Sequence, residues 1–225
     1  MFIKLLYYYL IMEFSIIIPA CNEEKGIVKT LKAIKAQKVD KEVIVVCNGC
    51  TDKTELVSKK YASTISIKDR NVSLARNLGA KKAKGNILIF IDADIIIQKN
   101  CLNDIKKKLS KNYVFGSCNI KPNNNKILAR LICSFRNSFA FIGWATGIIF
   151  FKREVFFRTR GCENVKTKEV NKLIKETKKL GRFGIANCYV INNMRRYEKF
   201  GYIRMILFWL MELLHRRSRE YPIIR

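Results

Sequence analysis

Histidine is almost missing from this chain. His215 is the one histidine in 225 residues, so a closed zinc site of histidines and cysteines has little to draw on. Cys47-Asn48-Gly49-Cys50 has the C-x-x-C spacing of redox and zinc sites, but no second pair accompanies it. Acidic residues are also scarce. Asp and Glu total 18 against 44 Lys and Arg, a formal net charge of +26. Such an excess attracts polyanions, whether nucleic acid, an anionic membrane or a phosphorylated substrate, without choosing among them. The aromatics lie inside apolar runs instead of on a basic face, and no nucleic-acid-binding module is recognisable, which argues against nucleic acid as the partner. No apolar run reaches the roughly 20 residues a membrane-spanning helix needs. No secretory leader with a cleavage site is evident. The eight scattered cysteines, several within apolar runs, therefore read as small buried hydrophobes in a reduced, cytoplasmic setting. Repeats and low-complexity tracts are absent as well.

What is present centres on Asn86 to Asp94. Ile87-Leu88-Ile89-Phe90-Ile91 is a run of large apolar residues that ends abruptly in Asp92-Ala93-Asp94. The run reads as a strand buried on both faces. The two carboxylates then sit where that strand emerges, at the edge where open α/β sheets bind ligands. Two acids so placed repel each other unless a cation intervenes, and a hard divalent ion holding a diphosphate is an economical answer. A solvated turn after a strand is the plain alternative.

Around this stretch, apolar strands alternate with helical patterns. Strands are expected at 14–18, 42–46 and 64–68, then the central one, and later at 113–117, 146–151 and 183–191. Helices are expected at about 27–37, 53–61, 73–84, 101–112, 127–141 and 169–180. The alternation implies right-handed crossovers and a mostly parallel sheet. Asn22, Glu23, Asn48, Asp52, Asp92 and Asp94 then converge on one sheet edge. Residues 1–13 form an N-terminal extension that could also touch a membrane, and 14–194 the α/β domain. Residues 195–225 are basic on both sides of the apolar core Met205–Leu214. They fit a membrane-interfacial helix as well as a helix docked on the domain.

Four segments, in order, resemble the family 2 glycosyltransferases of the GT-A fold: Ser15–Glu23, Val43–Thr54, Ser73–Ala80, and Asp92-Ala93-Asp94. Ala145-Thr146-Gly147 with Lys152–Phe156 is similar to the family's segment leading to the acceptor side, and Gly161–Asn164 to the loop after it. The resemblance spans roughly residues 14–191. It implies a Rossmann-like GT-A domain that transfers a hexosyl group with inversion from a nucleotide-diphosphate sugar to an acceptor hydroxyl or phosphate. It further implies a Mg²⁺ or Mn²⁺ cofactor, and a role in building cell-envelope glycans. Pro19, Ala20, Asn22 and Glu23 would line the nucleoside pocket, with Cys47 and Asn48 facing the base and Asp52 beside them. Asp92 would lie by the ribose and Asp94 would hold the metal on the diphosphate, the two acids together forming the metal site. Arg76 would add positive charge there or be structural.

An inverting displacement also needs a base for the acceptor hydroxyl. The family often places two adjacent acids at the start of a helix after the acceptor segment. Here that position reads Lys168-Glu169-Val170-Asn171. Glu169 is the nominee, with Glu163 and Glu176 as weaker candidates. Val170 replaces the second acid, and Cys47 stands where the family usually has an acid. A non-catalytic family member acting as a membrane-associated binding partner is therefore the rival reading. The Gln-x-x-Arg-Trp pattern and long spans of processive synthases are absent, so a single transfer is expected. The acceptor expected is a glycan or a lipid-linked molecule, handled on the inner face of a membrane.

Overall fold

The first strand, β1 (Phe14–Ala20), is buried at all seven positions. That is possible only for a strand flanked by neighbours and covered on both faces. It pairs in parallel with β2 (Lys41–Asn48) on one side and with β4 (Ile87–Ile91) on the other. The pleat divides their side chains between two cores. Ile16 and Ile18 with Ile87, Ile89 and Ile91 enter one; Ile17 with Leu88 and Phe90 enters the other. Continuous apolar sequence in these strands therefore reflects two buried faces and not a failed alternation.

A computed structural model describes residues 12–140, 147–163 and 170–214. Eight strands form one sheet in the order β3-β2-β1-β4-β7-β6-β8-β5. The other members are β3 (Ser63–Ile67), β5 (Ile96–Ile97), β6 (Tyr113–Pro122), β7 (Ile148–Lys152) and β8 (Arg182–Asn192). The expected parallel arrangement holds from β3 to β4. Beyond β4 the sheet is mixed: β7 runs antiparallel to both β4 and β6, and β6 runs parallel to β8. The helices are α1 (Ile27–Lys35), α2 (Thr54–Ser58), α3 (Val72–Lys82), α4 (Cys101–Leu109), α5 (Ile127–Ser138), α6 (Arg153–Phe156), α7 (Asn171–Lys178), α8 (Arg195–Phe200) and α9 (Tyr202–Leu214). No helix among the described residues is long and apolar enough to cross a membrane.

The expected elements are present, several with shifted ends. The four-residue helix α6, the strand β5 and the length of β6 were not expected. β5 is only two residues long and pairs with β8, too short to leave a pattern. β6 runs on to Pro122, and its register with β8 shifts twice. Small residues on one side of α3, Ala75 and Gly79, let that helix pack closely. A Cβ on Gly79 of α3 would lie 2.4 Å from Ile17 Cγ2, so the helix rests directly on β1. Cys101, Cys118 and Cys188 meet in the first core with Sγ–Sγ distances of 3.0 and 3.4 Å and pack as unbridged thiols. The segment after β8 is docked on the domain through Tyr197 and Met205, both buried in that core, while the outer side of α9 stays exposed.

β6 packs so closely that a Cβ on Gly116 would lie 1.9 Å from the Gly184 carbonyl oxygen and 2.5 Å from the Phe150 ring. Gly116→Ala must push β6 away from both neighbours. We expect a loss of about 1–3 kcal/mol, the range of overpacked cores, seen as a lower urea midpoint at unchanged slope.

Candidate active site

The turns after β1 and β2 are stitched to each other by side chains. Asn22 adopts the left-handed conformation, φ 56°, which Asn tolerates better than most residues. Its amide donates to Thr51 Oγ1 at 3.0 Å and its carbonyl accepts from the Thr51 amide at 2.8 Å. The Glu23 amide donates to Thr54 Oγ1 at 2.7 Å. Asp52 accepts from the amides of Thr54 and Glu24 at 3.0 and 3.2 Å and from the Thr54 hydroxyl. Burial alone would raise the Asp52 carboxyl, but these donors more than offset it and hold the group below its usual value of 3.8. Asp52 is thus at the expected edge as a brace of the turn, with its acceptors already used.

The turn after β4 supplies Asp92 and Asp94, which take different partners. The Asp92 amide donates to the Gly147 carbonyl at 3.0 Å. Its Oδ1 accepts from Arg76 Nη2 at 2.9 Å. The Arg76 side chain is 10% exposed against 44% for Asp92, so a buried guanidinium from α3 fixes a more open carboxylate. Arg76 therefore acts here by holding Asp92. Asp94 lies deeper, its side chain 22% exposed, with Oδ2 3.3 Å from Arg195 Nη2. The same guanidinium nitrogen hydrogen-bonds Glu23 Oε1. Two acids from the ends of β1 and β4 thus share one cation from α8.

Burial pushes the Asp94 carboxyl above 3.8 and Glu23 pushes it the same way, while Arg195 and Arg196 pull it down without cancelling the rise. Burial would lower the Arg195 pKa, but Glu23 and Asp94 hold the guanidinium charged more firmly than usual. Two buried oxygens have no hydrogen-bond partner among the described residues: Glu23 Oε2 and Asn48 Oδ1. A buried acceptor without a donor is costly, and both lie on residues of the expected site. The Glu23 and Asp94 carboxylates, one with a spare buried oxygen, are a hard-oxygen set of the kind Mg²⁺ or Mn²⁺ takes. The residues present fit a divalent ion.

Several expectations need correction. Cys47 is 1% exposed and sits in the first core, so its thiol does not face a ligand. Its C-x-x-C partner Cys50 donates to the Ala20 carbonyl at 3.2 Å. The side chains of Pro19 and Ala20 are also buried in β1, which leaves only their backbone to meet a nucleoside. Glu163 pairs with Lys172 at 3.1 Å, and Glu176 accepts from the Arg160 amide at 3.0 Å, so both weaker base candidates are engaged elsewhere. Glu169, Ala145, Thr146 and Asn164 lie outside the described residues. Val170, where the family's second acid would be, is buried in the second core.

Arg195 is the member of this cluster that the sequence does not single out. It had been grouped with the basic C-terminal segment, where one arginine among many gives no signal. Its position just past the end of β8, at the same sheet edge as the acids, was the available hint.

With this geometry in view, comparison with known proteins is informative. The model of the family described as glycosyl transferase family 2 matches residues 15–181. The poly(ribitol-phosphate) beta-N-acetylglucosaminyltransferase TarS of Staphylococcus aureus is 33% identical over 103 residues, covering 41% of this chain and 18% of that protein. The 4,4'-diaponeurosporenoate glycosyltransferase of Staphylococcus haemolyticus is 32% identical over 117 residues, covering 48% and 31%. The match thus spans less than a third of either relative. Among solved structures, TarS residues 1–349 in complex with UDP-GlcNAc superposes with a TM-score of 0.68 at 19% identity, covering 81% of this chain and 58% of that one. A mannosyltransferase from Pyrobaculum calidifontis in complex with GDP-Man and Mn²⁺ gives 0.65 at 19% identity, covering 96% and 73%. The fold is that of the GT-A glycosyltransferases.

Arg195→Gln leaves Glu23 and Asp94 facing each other without their cation. Both groups are partly open to solvent, so we expect a loss of about 1–3 kcal/mol at neutral pH, below the cost of stripping a fully buried pair. Asp94's folded pKa lies above its unfolded value. Its ionised form therefore costs stability at neutral pH, and that cost fades as pH falls through the raised value. The variant's deficit should shrink over the same acid range, which denaturant titrations at several pH values would read.

Proposed function

The chain belongs to glycosyl transferase family 2, and from that premise we propose that it is an inverting, metal-dependent, non-processive hexosyltransferase. The donor is a nucleotide-diphosphate sugar and the acceptor a glycan or lipid-linked molecule presenting a hydroxyl or phosphate. The observation that supports this most is the Glu23–Arg195–Asp94 cluster at the carboxyl edge of β1 and β4. Related structures hold UDP-GlcNAc, or GDP-Man with Mn²⁺, and ligands of that class suit the charges gathered here.

The nucleoside enters over the stitched β1 and β2 turns, where Asn48 Oδ1 offers a free buried acceptor for a base N–H. Asp92, steadied by Arg76, accepts from the ribose. Asp94 would hold the divalent ion, with Asp92 and Glu23 beside it. Such an ion, when bound, neutralises charge growing on the leaving diphosphate. Arg195 supplies a second positive group at the same place. Glu169 takes the proton of the acceptor hydroxyl as the acceptor oxygen bonds to the sugar's anomeric carbon. The bond from that carbon to the diphosphate breaks on the opposite face, inverting the centre. An acceptor already ionised as phosphate needs no such base.

One observation favours a second reading. Val170 is a core residue where an acid often stands, as expected of a member that binds a nucleotide-sugar without turning it over.

Thermal unfolding with UDP, GDP, CDP and dTDP, each with and without Mn²⁺, tests the donor site. A ligand at 100 times its Kd should stabilise by about 2.7 kcal/mol. We expect a metal-dependent shift with one nucleotide, abolished in Asp94→Asn; no shift with any nucleotide would reject the donor assignment. Glu169→Gln should keep that shift while kcat for transfer to a hydroxyl falls by about 10²–10⁴-fold. Unchanged turnover would remove Glu169 as the base, and absence of turnover in the parent enzyme across donors and acceptors would favour the binding-partner reading.

A further inference from the structure

We propose that the outer faces of α5 and α9 form one docking surface for an anionic lipid bilayer. On α5 and the residue that caps its end, Ile127, Leu131, Phe135 and Phe139 recur every fourth residue and are 38–68% exposed. On α9, Ile203, Leu207 and Met211 recur at the same spacing and are 40–71% exposed. Residues four apart share one face of a helix, so each helix presents a continuous apolar stripe. The opposite sides of both helices are accounted for: Ala129 and Cys133 of α5 and Met205 of α9 enter the same core.

The two helices begin beside each other. Lys126, at the start of α5, pairs with Glu198 of α8 at 3.3 Å and lies over the Tyr202 ring of α9. Asn124 donates to the same Glu198 at 2.8 Å. An isolated exposed leucine needs no explanation. Two ordered stripes on neighbouring helices do, because exposed apolar patches on this scale mark interaction sites.

Charge selects the occupant. Arg130 and Arg204 stand next to stripe residues in sequence and Lys199 lies on the adjoining α8, all three exposed, in a chain of net charge +26. An apolar face edged with Lys and Arg is the composition of helices that lie in the headgroup layer, and an anionic leaflet attracts each such cation. A second copy of this chain would bring the same positive charge to the contact, which opposes self-association. The surface therefore fits a lipid interface better than a dimer. It widens the interfacial segment expected at 195–225 by adding α5, which no charge run in the sequence marked. α9 follows directly on α8, which begins with Arg195, so the docked face and the acid cluster belong to adjoining elements. That the acceptor reaches the site from the bilayer is a corollary that rests on the glycosyltransferase reading; docking itself does not.

Co-sedimentation of the full chain with vesicles tests the proposal, using phosphatidylcholine alone and phosphatidylcholine mixed with phosphatidylglycerol. We expect binding to the anionic vesicles, weakened by salt. Leu131→Glu with Phe135→Glu, or Ile203→Glu with Leu207→Glu, should each lower the bound fraction by about tenfold or more, since charge on an embedded face opposes insertion. Leu56→Glu, at an exposed position of α2, should leave binding intact. These positions are exposed, so folding should survive; circular dichroism and the nucleotide-dependent unfolding shift check that. Absence of binding would overturn the proposal, as would binding insensitive to both double variants. A dimer in solution that Phe135→Glu disperses would overturn it in favour of a protein interface. A nucleotide shift without vesicle binding would refute docking and leave the donor site standing.

Discussion

Two carboxylates cannot share a poorly solvated corner without a cation, and this constraint organises the ligand edge of the protein. Glu23 and Asp94 are brought together by the pairing of β1 with β4, in which Ile17 stands opposite Phe90. The sheet places the turns; it does nothing for the charges. Arg195 does that, reaching both acids from a helix that follows the last strand. The contact ties the chain's C-terminal part to its first turn. It also means that one guanidinium partly offsets the charge of both acids. A divalent ion placed here would meet a guanidinium already in contact with both acids.

The central strands were legible because their chemistry is extreme. A strand buried on both faces has to be apolar throughout, and the first polar residues after it must mark the place where it leaves the core. The same logic located Asp92 and Asp94 before any coordinates. It failed for Cys47 because a motif gives a position along the backbone, whereas the pleat decides which way a side chain points. Val46 faces the second core and Cys47 the first. Asn48, at the end of the strand, keeps a buried carbonyl oxygen without a partner among the described residues.

What escaped the sequence depends on contacts between distant segments. Arg195 is one of 44 basic residues, and only the register of β8 brings it to the acids. β5 is defined solely by pairing with β8. The apolar stripe of α5 is plain in the sequence, where it is indistinguishable from a buried face. In the structure, only Ala129 and Cys133 of that helix are buried. Helical periodicity identifies a face but cannot say whether sheet or solvent lies against it.

Three aspartates reach the same edge, and their partners separate their roles. Asp52 is surrounded by amide and hydroxyl donors that lower its pKa and use its acceptors, so its charge is spent on holding two turns together. Asp92 is matched by one buried arginine and remains partly open, which suits a group that positions a ligand's hydroxyls. Asp94 has its pKa raised, by burial and by Glu23 against the pull of two arginines. The folded chain leaves its charge incompletely satisfied. A ligand that supplies positive charge gains where the protein has supplied too little, and the corner shared by Asp94 and Glu23 is such a place.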